Sequence, residues 1–174
     1  MKRTFKKTIA SVLALLLAFG LVACSDGGDG FTDYSNGGLE YELPDSFGEI
    51  DVNYADYAYT SKEFPGLEIM MYFYSTEQLV SDIYLKSSST VKEYADWFVH
   101  QNGYVGVEED YDEEEKMIVL KYFYEDGSES YFFYDYIVRN EYMLYHVTFA
   151  CNPDDREAYE PGFEEWTSRI SMIY

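Results

Sequence analysis

Two thiols, two imidazoles and one dense run of carboxylates are the residues of this 174-residue chain whose chemistry could be put to use. A nucleophile needs a base beside it, and His100 and His146 are the only imidazoles available for that task. His100 falls in the last turn of a predicted helix, where a cation suits the dipole, and His146 falls inside a predicted strand. Both positions read as structural. The chain has no Gly-Lys-Ser phosphate loop, no HExxH helix and no glycine-flanked nucleophile elbow. Paired carboxylates for glycoside hydrolysis carry no information here, because with 33 acids some pair always lies at a workable distance. No catalytic residue is assigned, and the chain reads as a non-enzyme.

The carboxylates are densest in EEDYDEEE, from Glu108 to Glu115. Asp110, Asp112, Glu113 and Glu114 could surround a hard cation such as calcium, which takes roughly six to eight oxygens. The run lacks the glycine and the ligand order of an EF-hand loop, so a solvated hairpin tip is the better account. No metal or other cofactor is required by the sequence.

Cys24 stands in a different context. Lys2, Arg3, Lys6 and Lys7 open the chain, and Ile9 to Ala23 follows without a charge, which is the layout of an export signal. A membrane-spanning helix needs roughly 20 apolar residues, and this run ends sooner, at a small-residue site. Leu21, Val22, Ala23 and Cys24 resemble the lipobox of bacterial lipoproteins: an aliphatic residue, a tolerant position, a small residue and the cysteine. The resemblance implies diacylglycerol transfer to the Cys24 thiol, cleavage before it and, in some hosts, a further acyl group such as palmitate on the freed amine. Residues 1–23 are then the signal peptide, and the remainder is held at the outer face of a bacterial cell membrane. Each buried methylene of an acyl chain contributes about 0.8 kcal/mol, so two chains anchor durably where one exchanges. The alternative is an ordinary secretory signal with an incidental cysteine. With Cys24 lipidated, Cys151 has no intramolecular partner, and it reads as a buried inert thiol or, alternatively, as one that bridges to another chain or is reactive.

Four of the 12 Lys and Arg precede Cys24 and none of the 33 acids does, so the chain from Cys24 onward sets eight cations against 33 anions, a formal charge of −25. Nucleic acid, bound through cations on phosphates, is excluded as a partner. The same charge keeps a tethered domain off an anionic surface. It does not imply disorder, because 20 Tyr, 12 Phe and two Trp are too many aromatic residues for an unfolded chain. Tyrosine gives contact area at low entropic cost, so an exposed stripe of it would be a binding face, whereas covered rings would simply be core.

Residues 24–38, rich in glycine and aspartate, read as the lipidated cysteine and a flexible tether. The folded part, residues 39–174, has the size of one domain. LEYEL at 39–43 alternates as a strand should before Pro44. Further strands are predicted over Tyr54–Thr60 and Leu67–Tyr74, with a turn at Phe64-Pro65-Gly66. Ser75–Ser88 could be helical or extended. Thr90 and Glu93 form a capping box, and Val91, Tyr94, Ala95 and Phe98 line one face of the helix that it starts, ending at Asn102-Gly103. Met117–Tyr124, Tyr131–Arg139 and Tyr142–Cys151 are then three strands joined by short turns, hence antiparallel neighbours. Both faces of the first are apolar, which calls for a sheet covered on both sides. A last helix is capped by Asp154 or Asp155, with Tyr159, Phe163, Trp166 and Ile170 on one face. Pro161 suits a helix start, so the helix proper is expected from about Glu160, after a separate turn over Asp155–Tyr159.

LEYELPDSFGE at 39–49 and SESYFFYDYIVRNEYMLYHVTFACNPDDREAYEPGFEEWTSRISMI at 128–173 resemble the PsbP-like and Mog-like α/β/α sandwich. The resemblance implies an α+β fold: one domain, a mainly antiparallel sheet, a crossing helix and a C-terminal helix leading into a tail carried by Ser168, Ile170 and Met172. It also implies binding or assembly in place of catalysis. The reading is thus a lipid-anchored binding domain for an unknown protein or small ligand. Alternatives are a divalent-cation-stabilised accessory of an envelope complex and an enzyme of unrecognised class.

Overall fold

A computed structural model of the chain describes residues 30–127 and 129–173. The expected signal peptide, and with it Leu21, Val22, Ala23 and Cys24, lies outside the described residues. The fold is a single α+β domain built on a seven-stranded antiparallel sheet of order β3-β4-β5-β9-β8-β7-β6. Its strands are β3 (Phe47–Ile50), β4 (Tyr57–Ser61), β5 (Glu68–Ser75), β6 (Glu108–Asp112), β7 (Met117–Asp126), β8 (Glu129–Arg139) and β9 (Met143–Cys151). The β7-β8-β9 meander is the one expected from its short turns. Period two sends Ile118, Leu120 and Tyr122 to one core and Val119 to another, so the sheet is covered on both faces.

On the first face lie α1 (Thr76–Ser81) and α2 (Val91–Asn102). The Thr90 hydroxyl accepts from the Glu93 N–H at 3.1 Å while the Glu93 carboxylate accepts from the Thr90 N–H at 2.9 Å, and Gly103 ends the helix in the left-handed region. Val91, Tyr94 and Ala95 are buried as predicted. The undecided segment after Ser75 starts as a helix, α1, under a second capping box made by Ser75 and Gln78.

The other face is covered by α3 (Arg156–Thr167) and by a small three-stranded sheet, β1-β2-β10, of β1 (Phe31–Asn36), β2 (Leu39–Pro44) and β10 (Ser171–Met172). The C-terminal tail thus pairs back on β2, with Met172 opposite Leu39. Two expectations are corrected on this face. Residues 31–36, read as tether, are a strand, and Gly37-Gly38 is its hairpin turn, both glycines at positive φ. A Cβ on Gly37 would stand 2.5 Å from Phe73 Cδ2, so the pair is demanded by close packing as well as by the turn.

The second correction concerns α3, which runs continuously through Pro161. An interior proline costs about 3 kcal/mol. Phe163 and Trp166 are 0% and 4% exposed against the sheet, and burying two such rings contributes about 1.5–3 kcal/mol each, which offsets the proline. Asp155 makes no side-chain cap; Asn152 instead caps a preceding 3-10 turn, Pro153–Asp155, by accepting from the Asp154 N–H at 3.0 Å.

Candidate functional site

The chemistry-bearing residues meet in one place, between the sheet and α2. Asp135 on β8 faces Thr148 on β9, and His146 lies two residues before Thr148 on the same face of that strand. His146 Nε2 is 3.2 Å from Asp135 Oδ1 and 3.3 Å from Thr148 Oγ1, while Nδ1 meets the Tyr94 hydroxyl of α2 at 3.0 Å. Tyr122 on β7 donates to Asp135 Oδ2 at 2.8 Å. Asp135 Oδ1 itself makes no hydrogen bond. Phe98, 4.8 Å away, and Tyr94, 5.7 Å away, stand edge-on to the imidazole, with Tyr72 alongside.

An aspartate, a histidine and two hydroxyls invite comparison with a catalytic triad. Burial decides against it: Asp135 is 0% exposed and His146 2%, and Tyr94, Tyr122 and Thr148 are buried too. A triad sets the carboxylate on one ring nitrogen and the nucleophile on the other. Here the Thr148 hydroxyl shares Nε2 with Asp135, and the hydroxyl that does meet Nδ1, that of Tyr94, is itself buried. Burial, reinforced by the Asp135 charge, raises the Tyr122 hydroxyl far above its ordinary value, and burial first among several causes does the same to Tyr94, so both remain protonated donors. The cluster is a polar clamp across β7, β8, β9 and α2. Asp135 itself carries no sequence signal beyond an acid at an inward position of a core strand.

The other predicted residues are dispersed. His100 is exposed in the last turn of α2. Cys151 is buried, and burial, with Asp155 and Glu160 nearby, pushes its thiol up to about 12, so it stays protonated at neutral pH. The acidic run divides: Glu108–Asp112 form β6, exposed along its whole length at the edge of the sheet, and the turn follows. Asp112 Oδ1 accepts from the Glu114 and Glu115 N–H groups at 2.9 and 3.0 Å, which closes that turn. Glu109 pairs with Lys92 at 3.0 Å, and Glu108 lies 3.6 Å from Arg156. No group of three or more His, Cys, Asp or Glu among the described residues is placed to hold a metal ion, Asp110, Asp112, Glu113 and Glu114 included. Charged side chains along β6 serve a different purpose, blunting an open strand edge.

The tyrosines are mostly covered. Tyr41, Tyr59, Tyr94, Tyr122, Tyr131, Tyr134 and Tyr145 are buried, so the sheet does not present a tyrosine face. Among the described residues only Tyr84, Tyr111 and Tyr142 are exposed, at 87%, 40% and 69%. All three lie in loops or on the edge strand.

No protein-family model matches this sequence, and no curated protein does. Solved structures do. Cyanobacterial PsbP from Synechocystis sp. PCC 6803 superposes with a TM-score of 0.62 at 13% identity, over 87% of this chain and 98% of that one. The fold is PsbP-like. The Ran-binding protein Mog1p of Saccharomyces cerevisiae shares it, with a TM-score of 0.55 at 11% identity over 82% of this chain and 95% of Mog1p. A Bacteroides thetaiotaomicron VPI-5482 structure has a TM-score of 0.51 at 7% identity, and this chain spans 46% of it. The PsbP-like fold places the Asp135 clamp at the centre of the sheet, beneath α2.

Proposed function

We propose that this chain is a non-catalytic binding or assembly domain held by a lipid on Cys24 at the outer face of a bacterial membrane. The observation that carries the binding role is the sealed state of the Asp135–His146 cluster, whose imidazole is 2% exposed, so this imidazole and its carboxylate meet no substrate. The PsbP-like fold supports the same leaning, since Mog1p binds Ran. The lipid anchor rests on Leu21-Val22-Ala23-Cys24 after a cationic start and an apolar run. The first described strand, β1, starts at Phe31, seven residues after Cys24.

The test has two arms. Cells fed an alkynyl fatty acid should label the full chain, and Cys24→Ala should abolish the label; label retained by the variant refutes the anchor. The lipidated chain, purified from membranes, should bring down one reproducible protein partner. Absence of any partner, together with turnover in a broad hydrolase screen, refutes the binding role.

A further inference from the structure

The three exposed tyrosines gather at one end of the sheet. Strand register defines that end: Ser75 of β5 lies opposite Met143 of β9, Leu144 opposite Arg139 of β8, Val138 opposite Met117 of β7, and Met117 opposite Asp112 of β6. Just past this row come the turn carrying Tyr142, the turn Glu113–Lys116 and the start of α1. The Tyr142 carbonyl accepts from the Thr76 N–H at 3.0 Å, which ties the first of these turns to α1. The Arg139 guanidinium bonds the Ser87 carbonyl, which brings the loop carrying Tyr84 to the same end. Tyr111 is one residue from the row, on β6.

The chain enters at the opposite end. The Gly30 carbonyl accepts from the Asp45 N–H at 3.0 Å, next to Phe47, which pairs with Ser61. Thr60 then pairs with Glu68, the far end of β5 from Ser75. Seven residue steps at roughly 3.3 Å separate Glu68 from Ser75, so the tyrosine end stands about 23 Å from the entry point.

Its charge is one-sided. Glu77, Asp82, Glu113, Glu114, Glu115 and Glu141 are exposed there, against Lys86, Lys116 and the half-buried Arg139, whose guanidinium is engaged by the Ser87 carbonyl. None of the ion pairs among the described residues involves Glu113, Glu114, Glu115 or Glu141. An exposed tyrosine ring among unpaired carboxylates attracts a guanidinium or ammonium by its quadrupole and by the surrounding field. A second copy of this chain would bring the same negative charge and be repelled.

We propose that this anchor-distal end, with Tyr84, Tyr142 and Tyr111 set among free carboxylates, docks an arginine- and lysine-rich protein segment. The inference deepens the binding role above by naming the surface and the chemistry of the partner. Guanidinium planes lie on the exposed rings, the carboxylates take the remaining charge, and the position facing away from the membrane keeps the site open.

Fluorescence anisotropy with a labelled oligoarginine peptide and the full chain in non-ionic detergent tests it. Tyr84→Ser with Tyr142→Ser, and separately the triple change Glu113→Gln, Glu114→Gln, Glu115→Gln, should each weaken binding about tenfold. A control triple of equal charge at the entry end, Glu63→Gln, Glu125→Gln, Glu157→Gln, should change it less than about twofold. All sites are exposed, and near-UV circular dichroism verifies folding; Tyr142→Ser alone replaces the pair if the pair misfolds. Equal weakening by the two triples, unchanged binding by the tyrosine variants, or absence of binding overturns the proposal. So does a dimer, seen by sedimentation, that the tyrosine variants disperse. A co-purifying partner retained by the distal variants would leave the binding role standing and overturn only its placement.

Discussion

Replacing His146 by leucine should be among the most damaging single changes in the domain, and the reason is the carboxylate that it leaves behind. Asp135 is fully buried, with Oδ1 unbonded and Tyr122 donating to Oδ2, and the His146 ring stands 3.2 Å from that unbonded oxygen. Removing the ring strands the Tyr94 and Thr148 hydroxyls and takes the polar neighbour away from Oδ1, at about 1–3 kcal/mol for each buried group left unpaired. Asp135→Leu should also destabilise, because the buried Tyr122 hydroxyl loses its acceptor, at about 1–3 kcal/mol. The double variant removes both members of the pair and strands only the Tyr94, Tyr122 and Thr148 hydroxyls. Its loss should therefore fall short of the sum of the single losses by about 2 kcal/mol or more. Urea unfolding reads this through Trp97, 5.7 Å from Tyr94 on the helical face, and Trp166, buried on the other face. Single losses that add to within about 0.5 kcal/mol would refute the clamp, because independent sites behave that way.

Three further outcomes are expected. Gly37→Ala should cost about 2 kcal/mol, since φ of +58° strains any L side chain and the new Cβ meets Phe73; an unchanged urea midpoint would contradict the packed turn. Cys151, with its thiol pushed up to about 12, should resist an aromatic disulfide reagent at neutral pH in the folded chain and react at once in denaturant. Rapid labelling of the folded protein would show the thiol to be accessible. Burial pushes the Glu160 carboxyl up, but hydrogen bonds from Arg156 and Lys121 outweigh it and hold the group below its ordinary value. A folded-state value below the unfolded one contributes stability above the ordinary carboxylate range and loses it as pH falls through the folded value. The stability difference between wild type and Glu160→Gln should therefore shrink on acidification, and a difference constant with pH would count against these contacts.

Local rules made much of the domain legible. The α2 boundaries depend on contacts within a few residues, Thr90 with Glu93 at one end and Gly103 at the other, so the order of residue types suffices to place them. The β7-β8-β9 meander was legible for a similar reason: period two and short turns leave antiparallel pairing as the available geometry. The proposed export and lipidation signal, a cationic start, an apolar run and Cys24, is likewise a property of the linear chain alone.

Other features exist only once distant segments touch. Gly37-Gly38 has the composition of a linker, and becomes a hairpin turn because Phe31–Asn36 pairs with β2 and Tyr34 stacks on Tyr41 at 5.3 Å. Helix α3 passes through Pro161 because Phe163 and Trp166 have a sheet to pack on, an energy absent from helix propensity. Asp135 and His146 were two unremarkable letters eleven apart until strand register set them within 3.2 Å beneath Tyr94. Tyr84, Tyr111 and Tyr142 became exceptional among the tyrosines only when the sheet covered most of the others and left these at one end. Local hydrogen bonding and periodicity are written in neighbouring residues, whereas burial and register depend on which segments meet, and only the tertiary structure decides that.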